Sequence, residues 1–169
     1  MTFSDFQKNI RTWIVNTLNV EVIYSHGKGP RPKGQYAVMN VVNIGKLIKD
    51  EISVTREVNG DIRADYKGIK KTMVSINIYR DDTMQLMTDL KNSLGTILTQ
   101  DYFNALDIGI IDPDGINHVP EQIGKDWENR SQCDFFFHYI PTTTSDADIS
   151  EIKKIEVTNE INGEVINVT

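Results

Sequence analysis

Residues 72–98 read TMVSINIYRDDTMQLMTDLKNSLGTIL, and a change of rhythm inside this stretch decides the fold class. From Thr72 to Arg80, Val74, Ile76 and Ile78 alternate with Ser75 and Asn77. That two-residue period marks a strand with one face in the core. From Asp82 onward, Met84, Met87, Leu90, Leu94, Ile97 and Leu98 recur at helical steps, predicting a second long helix that ends near Gln100. Asp82 and Gln85 have the spacing of a capping box at its start.

Upstream, Phe6, Ile10, Trp13, Ile14 and Leu18 form an apolar stripe, so a first amphipathic helix is expected over roughly Asp5 to Asn19. Ser4 and Gln7 are placed to cap it. A short β segment, Glu21 to Ser25, precedes a loop from His26 to Gly34, where two prolines and three glycines in nine residues forbid a regular element. From Gln35 to Ile48, Tyr36, Val38, Val42 and Ile44 fall on one face, with Ala37, Met39 and Val41 on the other. This is the pattern of a central strand covered on both sides.

Between these elements, Asn59-Gly60 is the favoured dipeptide of a type I′ turn, joining strands Ile52 to Val58 and Asp61 to Lys67. Both strands carry charge on both faces, so the hairpin is expected to project from the body. Leu106 to Ile111 reads as a strand closed by the turn Asp112-Pro113-Asp114-Gly115. Asp134 to Ile140 is an aromatic-rich strand ended by Pro141. Beyond it, Thr142-Thr143-Thr144-Ser145-Asp146 resembles a linker, followed by a second hairpin around Asn162-Gly163. The order α-β-β-β-β-α-β-β predicts an α+β fold: an antiparallel or mixed sheet with two long helices on one face. The expected division is a body, 1–141, and a C-terminal extension, 142–169.

With 169 residues, 39% hydrophobic and 25% charged, the chain can bury a core without disulfides or metals. Its net charge of -6 argues against a dedicated nucleic-acid binder. One cysteine, Cys133, excludes an internal disulfide and a multi-cysteine zinc site, and fits a reducing place of synthesis. The first residues lack the blocks of a signal peptide, and no apolar run reaches the ~18 residues of a membrane span.

No residues combine into a catalytic, metal or cofactor site. Gly27-Lys28-Gly29 lacks phosphate-loop spacing, and Pro30 and Pro32 remove the N–H groups that would cradle phosphate. Asp112-x-Asp114-Gly115 lacks the remaining ligands of a calcium loop. His26, His118 and His138 share no ligand spacing, His118 reading as a loop residue and His138 as a strand residue. Cys133 reads as a buried structural thiol, and Asp81-Asp82 as a helix-start pair. No Gly-x-Ser-x-Gly elbow occurs. What remains is a set of residues suited to a protein interface: Arg31 and Lys33 in the basic loop, Arg56, Glu57 and Arg63 on the charged hairpin, and Trp127 with Arg130 before the aromatic strand. Trp and Arg are the types enriched at interface hot spots.

Taken in order, several of these pieces resemble the bacteriophage tail terminator family, also called neck terminator or tail completion proteins. They are the amphipathic N-terminal helix, Arg31-Pro32 with Tyr36-Ala37-Val38-Met39-Asn40-Val41, the strand Val74-Ser75-Ile76-Asn77-Ile78-Tyr79, the helix with Leu86-Met87 and Leu90, and Asp126-Trp127-Glu128-Asn129-Arg130-Ser131-Gln132. The resemblance covers roughly Phe3 to Pro141. It implies a structural virion subunit, assembled in the host cytoplasm, that closes into a ring, typically a homohexamer, on the finished tail tube. The implied partners are further copies of itself, the tail-tube protein and the head–tail connector or stopper. Genome DNA would pass through the lumen without specific binding, and no membrane or cofactor is implied. Another neck, head-completion or tail-tube subunit is the near alternative, and a small metal-dependent nuclease built on dispersed carboxylates the distant one.

Overall fold

The computed structural model describes residues 1–27, 29–47, 51–56, 62–141, 143–145, 155–158 and 165–168; of these, 51–56, 62–67, 123, 143–145, 155–158 and 165–168 are described by backbone pairing alone. In chain order the elements begin with α1 (Phe3–Leu18), β1 (Glu21–Tyr24) and β2 (Tyr36–Lys46). A hairpin, β3 (Glu51–Arg56) and β4 (Ile62–Lys67), leads to β5 (Lys70–Tyr79), α2 (Thr83–Ser93) and α3 (Ile97–Asn104). There follow β6 (Ile108–Ile111), β7 (Asn117–His118), β8 (Glu121–Ile123), β9 (Asp126–Glu128) and β10 (Arg130–Tyr139). The C-terminal part contributes β11 (Thr143–Ser145), β12 (Ile155–Thr158) and β13 (Val165–Val168).

The main sheet runs β1-β2-β5-β10-β6, with β7 also paired to β10, and is mixed because only β1 and β2 are parallel. The α+β class expected from the sequence is the observed one. Strand β10 alternates strictly: Ser131, Cys133, Phe135, Phe137 and Tyr139 are buried, while the residues between them are half-buried. All three helices contribute to the same apolar cluster, through Phe6, Ile10, Trp13 and Ile14 of α1, Met87 and Leu90 of α2, and Phe103 of α3. They therefore cover one face of the sheet. Trp13 is the hub, meeting Phe103, Phe135 and Phe137 edge-on at 5.5, 5.6 and 6.1 Å. Its indole N–H donates to Ser93 Oγ at 3.1 Å, tying α1 to α2. A polar pin, Ser131 Oγ donating to Thr83 Oγ1 at 2.8 Å, joins β10 to the start of α2 inside the core.

Several expectations need correction. Helix α1 is capped by Thr2 with Asp5, not by Ser4 with Gln7: the Thr2 hydroxyl accepts from the Asp5 N–H, and the Asp5 carboxylate accepts from the Thr2 N–H. Hydrogen bonds from the Thr2 side chain and backbone hold the Asp5 carboxyl below its ordinary range. Asp82 makes no side-chain cap; its backbone is left-handed, at φ 51°, which aims the carboxylate away from the helix N–H groups. The expected second long helix is two helices. The chain breaks at Leu94-Gly95-Thr96, and Thr96 re-caps α3 by accepting from the Thr99 N–H. The break turns Ile97 and Leu98 out of the core, to 77% and 84% exposure.

Among the described residues, strand β2 is covered on one side only. Ala37 and Met39 enter the helix-side core, whereas the opposite face is lined by Val38, Asn40, Ser75, Asn77 and Gln132 around an open groove of about 520 Å³. An irregularity between Val41 and Asn43 inserts Val42, so Ile44 pairs with Thr72 and lies on the opposite side from Val38. Thr143–Ser145, expected as linker, pairs with β4 to form a three-stranded ribbon β11-β4-β3, separate from the main sheet. The turn at Asn59-Gly60 and the turn at Asn162-Gly163 lie outside the described residues, but the strands flanking each pair as a hairpin would. His118 sits in β7 rather than in a loop. At β6, Gly109 leaves the space that the imidazole of His138 occupies.

The outer edge of β1 is partly closed. Ser25 N–H donates to Met39 O, so the alternate residues Val22 and Tyr24 point away from β2. The Val22 carbonyl accepts from Arg11 Nε at 3.0 Å, and the Tyr24 carbonyl from Gly27 N–H at 2.9 Å.

Replacing the hub should cost far more than trimming the exposed pair. Trp13→Ala is expected to lose about 3–5 kcal/mol in urea unfolding, against a change within about 0.5 kcal/mol for Leu98→Ser. Comparable losses in the two variants would contradict this packing.

Candidate interaction site

At the α2 end of the sheet, Tyr36 of β2 and Tyr79 of β5 are register partners and stack at 4.8 Å with an interplanar angle of 3°. Their parity places them on the helix-free face, in line with Asn77 and Ser75. Three guanidinium groups gather on this pair. Arg31 and Arg130 lie 5.9 and 5.7 Å from the Tyr79 ring centre, and Arg80 lies 5.4 Å from that of Tyr36, within cation–π range. Burial, and after it the Glu128 carboxylate, pushes the Tyr36 phenol above its ordinary range; burial does the same for Tyr79 against the opposing pull of Arg130. Both rings therefore stay neutral at ordinary pH.

The hairpin β8–β9 places Glu121 directly opposite Glu128, a like-charge pair that is unfavourable on its own. Arg31 clamps it, with Nη1 3.1 Å from Glu128 Oε2 and Nη2 3.5 Å from Glu121 Oε1. Arg80 Nε adds 3.0 Å to Glu128 Oε1, and Arg130 Nη1 sits 3.9 Å from Glu121 Oε2. Arg130 also donates through Nε and Nη2 to Asn77 Oδ1. Arg80 adopts φ 80°, costly for a residue with a Cβ, and its surroundings hold it there. Its N–H donates to Asn129 O at 2.8 Å and its Nη1 to Gly34 O at 2.9 Å. Nearby, Gln35 Nε2 donates to Asp81 O.

Of the residues singled out in sequence, the fold brings Arg31, Trp127 and Arg130 to this one place. Trp127, on β9, is 70% exposed and lines a cleft of about 470 Å³ with Arg31, Arg80, Asp81 and Glu128. Lys33 is exposed in the adjoining loop. Arg56, opposite Ile62, and Arg63, opposite Thr55, belong to the separate ribbon. Glu57 lies outside the described residues. Sequence reading missed Arg80, Glu121, Glu128 and the tyrosine pair. The parity of Tyr79 with Ser75 and Asn77 was the available signal.

The arrangement offers planar donors and aromatic faces in fixed positions. No group of three or more His, Cys, Asp or Glu able to hold a metal ion occurs among the described residues. The Asp114 carbonyl accepts from Lys91 Nζ at 2.8 Å and from Cys133 Sγ at 3.4 Å, and its N–H donates to Asp134 O, so its backbone serves the loop. Burial pushes the Cys133 thiol up to about 11 from an ordinary 9.0. No helix among the described residues is long and apolar enough to cross a membrane.

The sequence profile of the family described as Phage neck terminator protein matches residues 4–164, running past Pro141 into the C-terminal segment. No curated protein matches the chain.

Two outcomes test this geometry. Glu128→Ala removes the carboxylate that Arg31 and Arg80 share and is expected to cost about 1–2 kcal/mol, near the value of a charged hydrogen bond. Arg31→Ala, at an arginine half exposed to water, is expected to cost under about 1 kcal/mol. A double-mutant cycle in urea separates the two. For Cys133, the folded pKa lies above the unfolded one, so the thiol's contribution to stability is complete below about 9 and is lost as pH rises toward about 11. Thiol labelling at pH 8 should therefore track unfolding; rapid labelling of the folded protein would contradict the burial.

Proposed function

Because the chain belongs to the phage neck terminator protein family, we propose that it closes into a ring, a homohexamer, on the end of the completed tail tube. It is a structural component of the phage tail and neck. In this reading the ring stops tube growth with one face and offers the other to the head–tail connector. The single observation that carries it is the family match over residues 4–164.

The geometry supports the reading in a secondary way. Helices cover one face of the sheet, and among the described residues the other is open; Arg31 and Arg130 are held at its end by ion pairs, with exposed Trp127 and Lys33 nearby. The ribbon β3–β4, with Arg56, Glu57 and Arg63, reaches a neighbouring subunit by strand addition. Its partner strand β11 occupies one edge of β4, so among the described residues β3 is the edge for that contact. The division into a body, 1–141, and a C-terminal extension, 142–169, belongs to the same reading. Assembly takes place in the host cytoplasm, and DNA crosses the lumen without specific contacts, consistent with a subunit of net charge -6. Ring closure requires a heterologous interface whose rotation returns on itself.

Loss of the protein from infected cells is expected to yield overlong or headless tails by electron microscopy. Tails of normal length joined to filled heads in its absence would remove the proposal.

A further inference from the structure

Two features lie apart from the arginine cluster, on opposite faces of the sheet. On the helix face, Ile97 and Leu98 open α3 as a bare aliphatic pair. Asp101 is four residues from Ile97 and three from Leu98, so it shares their side of the helix, and it is exposed. On the helix-free face, Gly45, Leu47, Met73 and Phe136 line a cleft of about 240 Å³ with Lys71 at its rim. The Lys71 ammonium stands 5.0 Å over the Phe136 ring, and Leu47 is 49% exposed. An apolar cavity of roughly 150 Å³ takes a guest the size of benzene, so this cleft has room for two aliphatic side chains.

We infer that these surfaces are the two halves of one contact between copies of this chain. The Ile97–Leu98 knob of one subunit seats against Leu47, Met73 and Phe136 of the next, and Asp101 faces Lys71 across the rim. Apolar knob matches apolar cleft, and carboxylate matches ammonium. Because knob and cleft are different patches of the chain, the contact is head-to-tail, and it makes a ring where its rotation closes. The inference rests on the ring reading above and names the side chains that would join neighbours.

A charge swap tests it. Asp101→Lys and Lys71→Glu, made singly, are each expected to weaken self-association on the order of tenfold or more, since like charges then meet. The double variant Asp101→Lys/Lys71→Glu is expected to restore it. Association is read by native mass spectrometry and by microscopy of the protein with tail tubes, and thermal melting checks that each variant folds. A second arm pairs Leu47→Cys with Leu98→Cys. Mild oxidation should give a ladder of disulfide-linked multimers, with buried Cys133 as bystander. Rings indifferent to the charge changes, together with no ladder, overturn the inference and leave the ring proposal standing. An unaltered protein that never associates, free or with tails, overturns both.

Discussion

The antiparallel register that holds Arg130–Tyr139 between Lys70–Tyr79 and Ile108–Ile111 is the constraint on which the rest of the molecule depends. The strand has two unlike faces. One supplies Phe135, Phe137 and Tyr139 to the helices; the other carries Arg130, Gln132, Asp134, Phe136 and His138. A slip of one residue would push charges against α1 and turn the phenylalanines to water. Trp13 opposes that slip, because its edge contacts with Phe135 and Phe137 exist in one register alone. The same register sets Arg130 beside Tyr79 at one end of the open face and Phe136 beside Met73 toward the other.

Much of this was readable in the sequence, because periodicity survives without tertiary knowledge. The stripe Phe6–Leu18, the alternation Val74–Ile78 and the aromatic run Phe135–Phe137 each stood in their observed element. The failures share a cause: local chemistry that one backbone torsion overrules. Asp82 has the right side chain for a cap, and a left-handed backbone removes it. The helical rhythm continues through Leu94, Ile97 and Leu98, masking the stop at Gly95-Thr96. Inserting Val42 shifts the parity of Ile44, which no count of alternating residues reveals. The arginine cluster was half legible. Arg31, Trp127 and Arg130 stood out by residue type, whereas Glu128 meets Arg31 across 97 positions and Arg80 across 48.

That cluster also shows why net charge is a poor guide to local surface. The chain carries six excess negative charges, yet three guanidinium groups crowd onto two tyrosine rings, with two glutamates between them. Pinned in this way, long side chains have already lost much of the freedom they would otherwise surrender on meeting a partner. A pre-ordered surface of this kind is in keeping with a structural protein of the phage neck.

The Arg11 and Gly27 contacts along β1 carry a consequence for how copies of the chain can meet. Two outward carbonyls of the terminal strand are already engaged, so that rim is a poor template for another chain to stack upon. A rim blunted in this way works against copies of the chain stacking edge to edge through β1.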